Sequence, residues 1–333
     1  MTPATRPAPL CRARTMAAVT SRGTGLIAAL ALSVLLPACD VFAPVEPTLT
    51  PRARPARPAA PVQVAQPTSE KSAAKRSYLA QVQSAQLTQG LLRQDGGGPD
   101  TPFSADMLAR NFNQIVFFNE YGAGNAASGV PGSLRRWAGP VRMGVSFGPS
   151  VPASQQRQDR SDVTRYAARL GRATGHTVTM SSAPNFMVFF VSEDDRSAVL
   201  TREATRIPGI TRASLAPLVN LGDDIYCAVA AYATGPDPHT YTAAVAVVRA
   251  ENPDLLRLSC IHEELAQGLG LANDSPQARP SIFNDDDEFA LLTGHDEMLL
   301  GMLYDPRLKI GMTMSEAAPI VRIIAREKLG GPG

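Results

Sequence analysis

Apolar positions change rhythm several times along this chain of 333 residues. From Leu26 to Leu36 they form a run broken only by Ser33, and from there to Arg76 large apolar side chains are few. Then the rhythm becomes regular. SADMLARNFNQIVFFNEY (104–121) places apolar residues at helical spacing, with Ser104 or Asp106 near its start. PVRMGVSFG (140–148) alternates as a strand does. In QDRSDVTRYAARLGRATG (158–175), Val163, Tyr166, Ala167 and Leu170 fall on one helical face. HTVTMSS (176–182) and NFMVFFVSE (185–193) predict two more strands, the second nearly all apolar at its centre. IYCAVAAYA (225–233) and TYTAAVAVVRA (240–250) flank the turn signal TGPDPH, which predicts a hairpin. NPDLLRLSCIHEELAQGLGL (252–271) predicts a helix that begins near Pro253 and stops at Gly270. EFALLTGHDEMLLGMLY (288–304) and APIVRIIAREK (318–328) predict two further helices. The order is that of an α+β fold with three α/β/α-like layers: a mixed sheet, a backing helix and a central site helix. NFMVFFVSE is expected to be an edge strand.

The N-terminal run is too short to span a bilayer comfortably as a helix. In MAAVTSRGTGLIAALALSVLLPACD (16–40) it follows a basic residue, Arg22, and precedes a small residue and Cys39, the anatomy of a secretory signal. The ending LPAC resembles a bacterial lipobox, which makes Cys39 the expected lipidation site and residues 1–38 a lipoprotein signal peptide. A plain signal peptide or an uncleaved anchor is the alternative. Either Met1 or Met16 can serve as the start. The Pro-, Ala- and charge-rich residues that follow cannot bury enough apolar surface to offset chain entropy. Residues 39–102 are therefore expected to be a disordered tether, with a weak helix over 77–94 and a break at DGGGPDTP. The folded domain is expected over 103–329.

Charge sharpens this division. Up to Arg76 the chain carries ten Lys and Arg against three Asp and Glu, which leaves 22 basic and 27 acidic residues for the remainder. An acidic domain is a poor partner for nucleic acid. The four cysteines match no CxxC pattern. After export Cys227 and Cys260 remain, and an oxidising envelope favours a disulfide between them, contributing on the order of 3 kcal/mol. The alternative is a reactive thiol beside His262.

The candidate chemistry lies in CIHEELAQGLGLANDS (260–275). A zinc peptidase helix has the form HExxH, which places two imidazoles on one face and a glutamate beside the bound water. Metzincins extend it to HExxHxxGxxH. With His262 as the first histidine, the second and third ligand positions and the glycine are all lost. One residue later the fit improves. Glu263, Gln267 and Asn273 then take the ligand-equivalent positions, Glu264 that of the catalytic glutamate and Gly270 that of the turn. His262 becomes a neighbour of the site.

The stretch thus resembles a degenerate metzincin. Phe283, in SIFND, stands where metzincins carry a methionine beneath the metal, and LTGHDEMLLGMLYDP resembles the helix that follows. The resemblance implies a zincin-like domain without its zinc-binding histidines. One carboxylate and two neutral amides are poor zinc ligands, so no metal or other cofactor is expected. A divalent metal ion, with Asp274 and the acidic run Asp285 to Glu288 adding oxygens, is the alternative; otherwise that run is a solvated loop. His262 with His295 is a further candidate pair, while His176 and His239 carry no signal. Adjacent helix residues point about 100° apart, which argues against Glu263 and Glu264 sharing a proton.

The stretches LARNFNQIVFFNEY, RRWAGPVRMGV, SIFNDDDEFALLT and DEMLLGMLYDPRLKIGM, together with the site helix, also resemble a family of uncharacterised proteobacterial lipoproteins, the domain of unknown function 2927. The resemblance implies a periplasm-facing envelope protein held to a membrane by lipid. Its expected role is non-catalytic: binding an envelope protein or peptide by β-strand addition, or serving as a scaffold. The alternative is a metal-dependent peptidase with Glu264 as general base.

Overall fold

The computed structural model describes residues 65–118, 131–284 and 286–331. Cys11, Cys39, the apolar run and Asp285 lie outside them. Five strands form the main sheet: β2 (Val141–Phe147), β3 (Val178–Met180), β4 (Phe186–Val191), β5 (Cys227–Tyr232) and β7 (Ala243–Arg249). Their spatial order is β3-β2-β4-β7-β5, in which the first four are parallel and β5 runs antiparallel to β7. Two short strands, β1 (Arg136–Trp137) and β6 (Thr240–Tyr241), pair beside it.

Alternation along the strands divides the core between the two faces. Phe186, Val188 and Phe190 of β4, with Ala244, Ala246 and Val248 of β7, enter one cluster. Phe189 and Val191, with Ala243, Val245 and Val247, enter the other. Helices cover both faces, which is why β4 and β7 are buried almost throughout and are written as continuous apolar runs. The larger cluster packs α2 (Ala105–Phe117), α3 (Ala153–Thr174), α6 (Asp254–Gln267), α7 (Gly294–Leu303) and α8 (Met314–Lys328) against the sheet. The smaller is closed by α4 (Arg196–Glu203) and α5 (Arg212–Val219). The fold is α+β, with a mixed sheet between two helical layers.

Several boundaries differ from the sequence expectation. β4 lies in the centre of the sheet, not at its edge; β3 and β5 are the terminal strands. An apolar run of six residues fits a strand buried on both faces, and periodicity alone does not show which strands flank it. α7 begins at Gly294, where Thr293 and Asp296 form a capping box, and residues 288–291 are bends with one isolated bridge at Phe289.

The largest difference is before residue 103, where the sequence predicts a tether. From Ala65 the chain is folded, and helix α1 (Glu70–Thr88) packs Ser72 and Leu79 into the body. Ser69 caps α1 and also binds Asp194 through Oγ at 2.5 Å. Ser72 reaches Glu251 at 2.6 Å, and Lys75 reaches Asp223 at 3.0 Å. Beyond α1, the N–H groups of Leu92 and Arg93 donate to the carbonyls of Asp287 and Glu288, both at 2.8 Å. Of the acidic run, Asp286 and Asp287 are exposed, as expected of a solvated loop, whereas Glu288 is tied down by Arg93 and Arg279. Over residues 65–102 the tether expectation fails because, among the described residues there, only Leu79 and Leu92 bury large apolar groups, and the polar partners lie far away in the chain; residues 39–64 lie outside the described residues.

Candidate functional site

Helix α6 is the centre of the molecule. Residues 260, 263, 264 and 267 share one stripe of it, and 262, 265, 266 and 269 share the opposite one. The second stripe is core. Ile261, Leu265, Ala266 and Leu269 are fully buried. His262 is stacked on Tyr166, ring centroids 4.0 Å apart and 11° from parallel. Its Nδ1 accepts the Leu292 N–H at 3.0 Å, and the Tyr166 hydroxyl donates to its carbonyl at 2.7 Å. Burial, assisted by the charge of Arg169, pushes the imidazole down to about 3. His262 is therefore neutral at ordinary pH, with Nδ1 engaged, and it positions the helix. His295 lies elsewhere in the core, its Nε2 3.1 Å from Asn111 Nδ2. Neither histidine joins a cluster able to hold a metal among the described residues.

The C-terminal end of α6 is held with equal care. Helix ends leave carbonyls without intrahelical partners. Here the Trp137 indole N–H donates to Gly268 at 2.9 Å, and the Tyr304 hydroxyl donates to Leu269 at 3.0 Å. Gly268 sits against Phe186, where a Cβ would stand 2.5 Å from the ring. Gly270 has φ +126°, and its Cβ would meet the Arg135 carbonyl at 2.7 Å. This turn requires glycine for both reasons. Phe283 is fully buried, and its carbonyl accepts the Ser275 N–H at 2.7 Å.

The first stripe faces β5 across a cavity of about 200 Å³. Glu263, Glu264 and Gln267 line it from the helix; Asp224, Ile225, Tyr226 and the start of β5 line the other wall. Glu264 is only 4% exposed, whereas Glu263 is half-buried. Cys227 of β5 and Cys260 of α6 are joined by a disulfide, Cα atoms 5.9 Å apart, so the two walls are covalently tied. A second, more apolar groove of about 480 Å³ continues along β5, bordered by Leu218, Ala230, Tyr232 and Tyr241 and sharing Gln267 with the first.

The structure brings together three of the residues singled out in the sequence, Glu263, Glu264 and Gln267. It does not bring Asn273 to them. Asn273 does not line the cavity. Its amide nitrogen donates to the Gln114 carbonyl at 3.1 Å and the Asp274 carbonyl at 2.6 Å. The donor set that would replace a zincin's three histidines is thus one carboxylate, one amide in the cavity and one amide turned away. These residues do not fit a zinc ion, and no catalytic step follows from them.

Sequence reasoning missed the opposite wall. Arg249, at the end of apolar β7, is fully buried. Its guanidinium donates to the Ile225 carbonyl at 2.7 Å and the Gly222 carbonyl at 2.5 Å, and it pairs with Glu193. It fixes the loop that carries Asp224 and Tyr226 into the cavity. Against the cost of burial, hydrogen bonds from Arg196, Lys71 and Arg249 hold Glu193 down to about 2. The available signal was an arginine closing a strand of otherwise apolar residues.

No curated protein and no solved structure matches the chain. One family does, over residues 105–323, which takes in every strand and the whole of α6. The chain belongs to DUF2927, a family of proteins of unknown function.

Proposed function

We propose that the protein is an envelope lipoprotein, anchored through Cys39, whose degenerate zincin-like domain binds an extended peptide without cleaving it. The zincin likeness is supported by the succession β2, α3, β3, β4, antiparallel edge strand and site helix, and by the glycine turn after that helix. The observation that carries the binding reading is the open edge of β5. Its outer side pairs with no described strand. In an antiparallel ladder alternate residues bond to the partner strand. The Arg249 N–H donates to the Tyr226 carbonyl, so Ala228 and Ala230 face β7, and the backbone groups of Cys227, Val229 and Ala231 point outwards. They do so along both cavities. A bound strand would add main-chain hydrogen bonds there and set alternate side chains into the groove.

The peptidase reading needs a metal that Glu263, Gln267 and Asn273 do not supply. A displayed peptide library panned against the purified protein tests the proposal, followed by the same peptides on Val229→Pro. Proline removes an outward N–H and is tolerated on an edge strand. Enriched peptides should lose binding to this variant while its melting temperature stays close to the parent's. A library that enriches nothing, or peptides indifferent to the substitution, would leave a scaffold. Hydrolysis of bound peptides that disappears in Glu264→Gln would restore the peptidase.

A further inference from the structure

We infer that the Cys227–Cys260 disulfide masks a metal site: once it is reduced, the Cys227 thiolate joins Glu263 and Glu264 in binding a divalent cation of the zinc class. One ligand atom from each of these three residues lies within 4.8 Å of the other two. All three side chains line the same cavity. Ligands around a zinc ion stand roughly 3.3–3.8 Å apart, given its bond lengths. The three atoms therefore need to close by about an ångström, which side-chain rotation supplies once the sulfur is freed. A thiolate with two carboxylates, one position left for water, is an acceptable zinc donor set. The set spans strand and helix and differs from the Glu263, Gln267 and Asn273 positions rejected above.

The two sulfurs are unlike in a way that suits stepwise reduction. Cys227 lines the cavity, whereas Cys260 does not and is 3% exposed. The Asn252 amide nitrogen lies 3.5 Å from the Cys260 sulfur and can donate to it. A thiolate of an external dithiol attacks Cys227 Sγ and forms a mixed disulfide. The bond to Cys260 breaks, and Cys260 leaves with the electron pair beside the Asn252 donor and takes up a proton. The second thiol of the reductant then attacks the mixed disulfide, closing the reductant's own disulfide and releasing Cys227 as a thiolate. The reductant loses two electrons and the protein disulfide gains them. The cation holds Cys227 in its deprotonated form. The inference does not rest on the peptide reading, because its test measures metal alone.

Two single variants separate masking from ligation. Cys260→Ser and Cys227→Ser both abolish the disulfide and leave equal numbers of thiols, but only the first keeps the ligand. Detergent-solubilised full-length protein is titrated with Co²⁺, following the thiolate-to-cobalt charge-transfer absorption, and with Zn²⁺ against a chromophoric chelator. Oxidised parent protein should give no charge-transfer band. Dithiol-reduced parent and Cys260→Ser should bind one Co²⁺ per chain with the band, and Cys227→Ser should show none. Loss of an indirect partner of a metal typically weakens affinity by 10-fold or more, so Glu263→Gln and Glu264→Gln should each weaken Zn²⁺ binding at least about tenfold in the reduced protein. Equal binding by the two serine variants, or a reduced parent without the band, overturns the inference. Should both serine variants fail to fold, reduced parent against reduced Glu263→Gln decides: equal Zn²⁺ affinity overturns it.

Discussion

The two sides of α6 are built to different standards. On the core side every polar group is fixed: His262 between Tyr166 and Leu292, the last carbonyls under Trp137 and Tyr304, Gly270 against the Arg135 backbone. On the cavity side Glu263, Glu264 and Gln267 face a space tied across by one disulfide. The first side is what any domain needs in order to hold a helix beneath a sheet. The second gathers ionisable and amide side chains around a cavity, which a helix does not need in order to be held in place. The difference separates the framework of a site from its chemistry, and substitutions on the two sides should report it in unequal amounts.

The largest effect is expected at Gly270. Alanine there must adopt a φ that L residues avoid and must push its Cβ into the Arg135 carbonyl. Gly270→Ala should lower stability by about 3–4 kcal/mol in urea unfolding, at the upper end of single-residue effects. A loss below about 1 kcal/mol would mean that the turn after α6 relaxes freely, and the core side would lose its claim to rigidity.

That turn also marks the limit of what the sequence makes legible. GLGL after an amphipathic run announces where α6 stops, and the strand order along the chain follows from alternation and turn signals. Edge and centre do not. β4 and β5 are both short apolar segments, and only long-range pairing makes one central and the other terminal. The segment 65–102 was hidden for a related reason. Arg93 finds Glu288, Gln86 finds Asp287 and Ser72 finds Glu251, each across more than 170 residues. Local composition carries no trace of such partners. In the site, Glu263, Glu264 and Gln267 were legible because they share one helical stripe. Asn273 was misplaced because it lies past the glycine turn, where helical spacing no longer governs direction.

The next effect depends on pH. The folded state keeps His262 neutral down to about 3, while the unfolded chain takes up a proton near 6.5. A depressed pKa in the folded state means that the unfolded state binds more protons in this window. Stability is complete above about 6.5 and falls as pH drops towards 3. The loss attributable to His262 should reach about 3 kcal/mol by pH 4. His262→Gln can still accept from the Leu292 N–H, and it should flatten the slope of unfolding free energy between pH 6.5 and 4. An unchanged slope would place the acid sensitivity elsewhere.

Trp137→Phe should come third. It removes the indole donor from the Gly268 carbonyl and leaves the stacking partner of Phe186 smaller. A lost hydrogen bond and a modest cavity together cost about 1–3 kcal/mol. Hydrogen exchange should rise at the last turn of α6 more than at its first. A uniform rise along the helix would mean that Trp137 supports the whole core and not the end of this helix in particular.

The smallest effect is expected on the cavity side. Glu263 is half-buried and faces Asp224, Glu264 and Asp287 around one cavity, so carboxylates crowd a confined space. Neutralising one of them removes like-charge repulsion and keeps the shape of the side chain. Gln also keeps most of the hydrogen-bonding capacity of Glu, so Glu263→Gln should change the unfolding free energy by less than about 1 kcal/mol, at the low end of single-residue effects. Core-side losses several times larger would then mean that the charge of Glu263 is not what holds the helix. A loss of about 2 kcal/mol or more in Glu263→Gln, in roughly the range of a broken buried network, would make Glu263 part of the framework and remove the distinction between the two faces of α6.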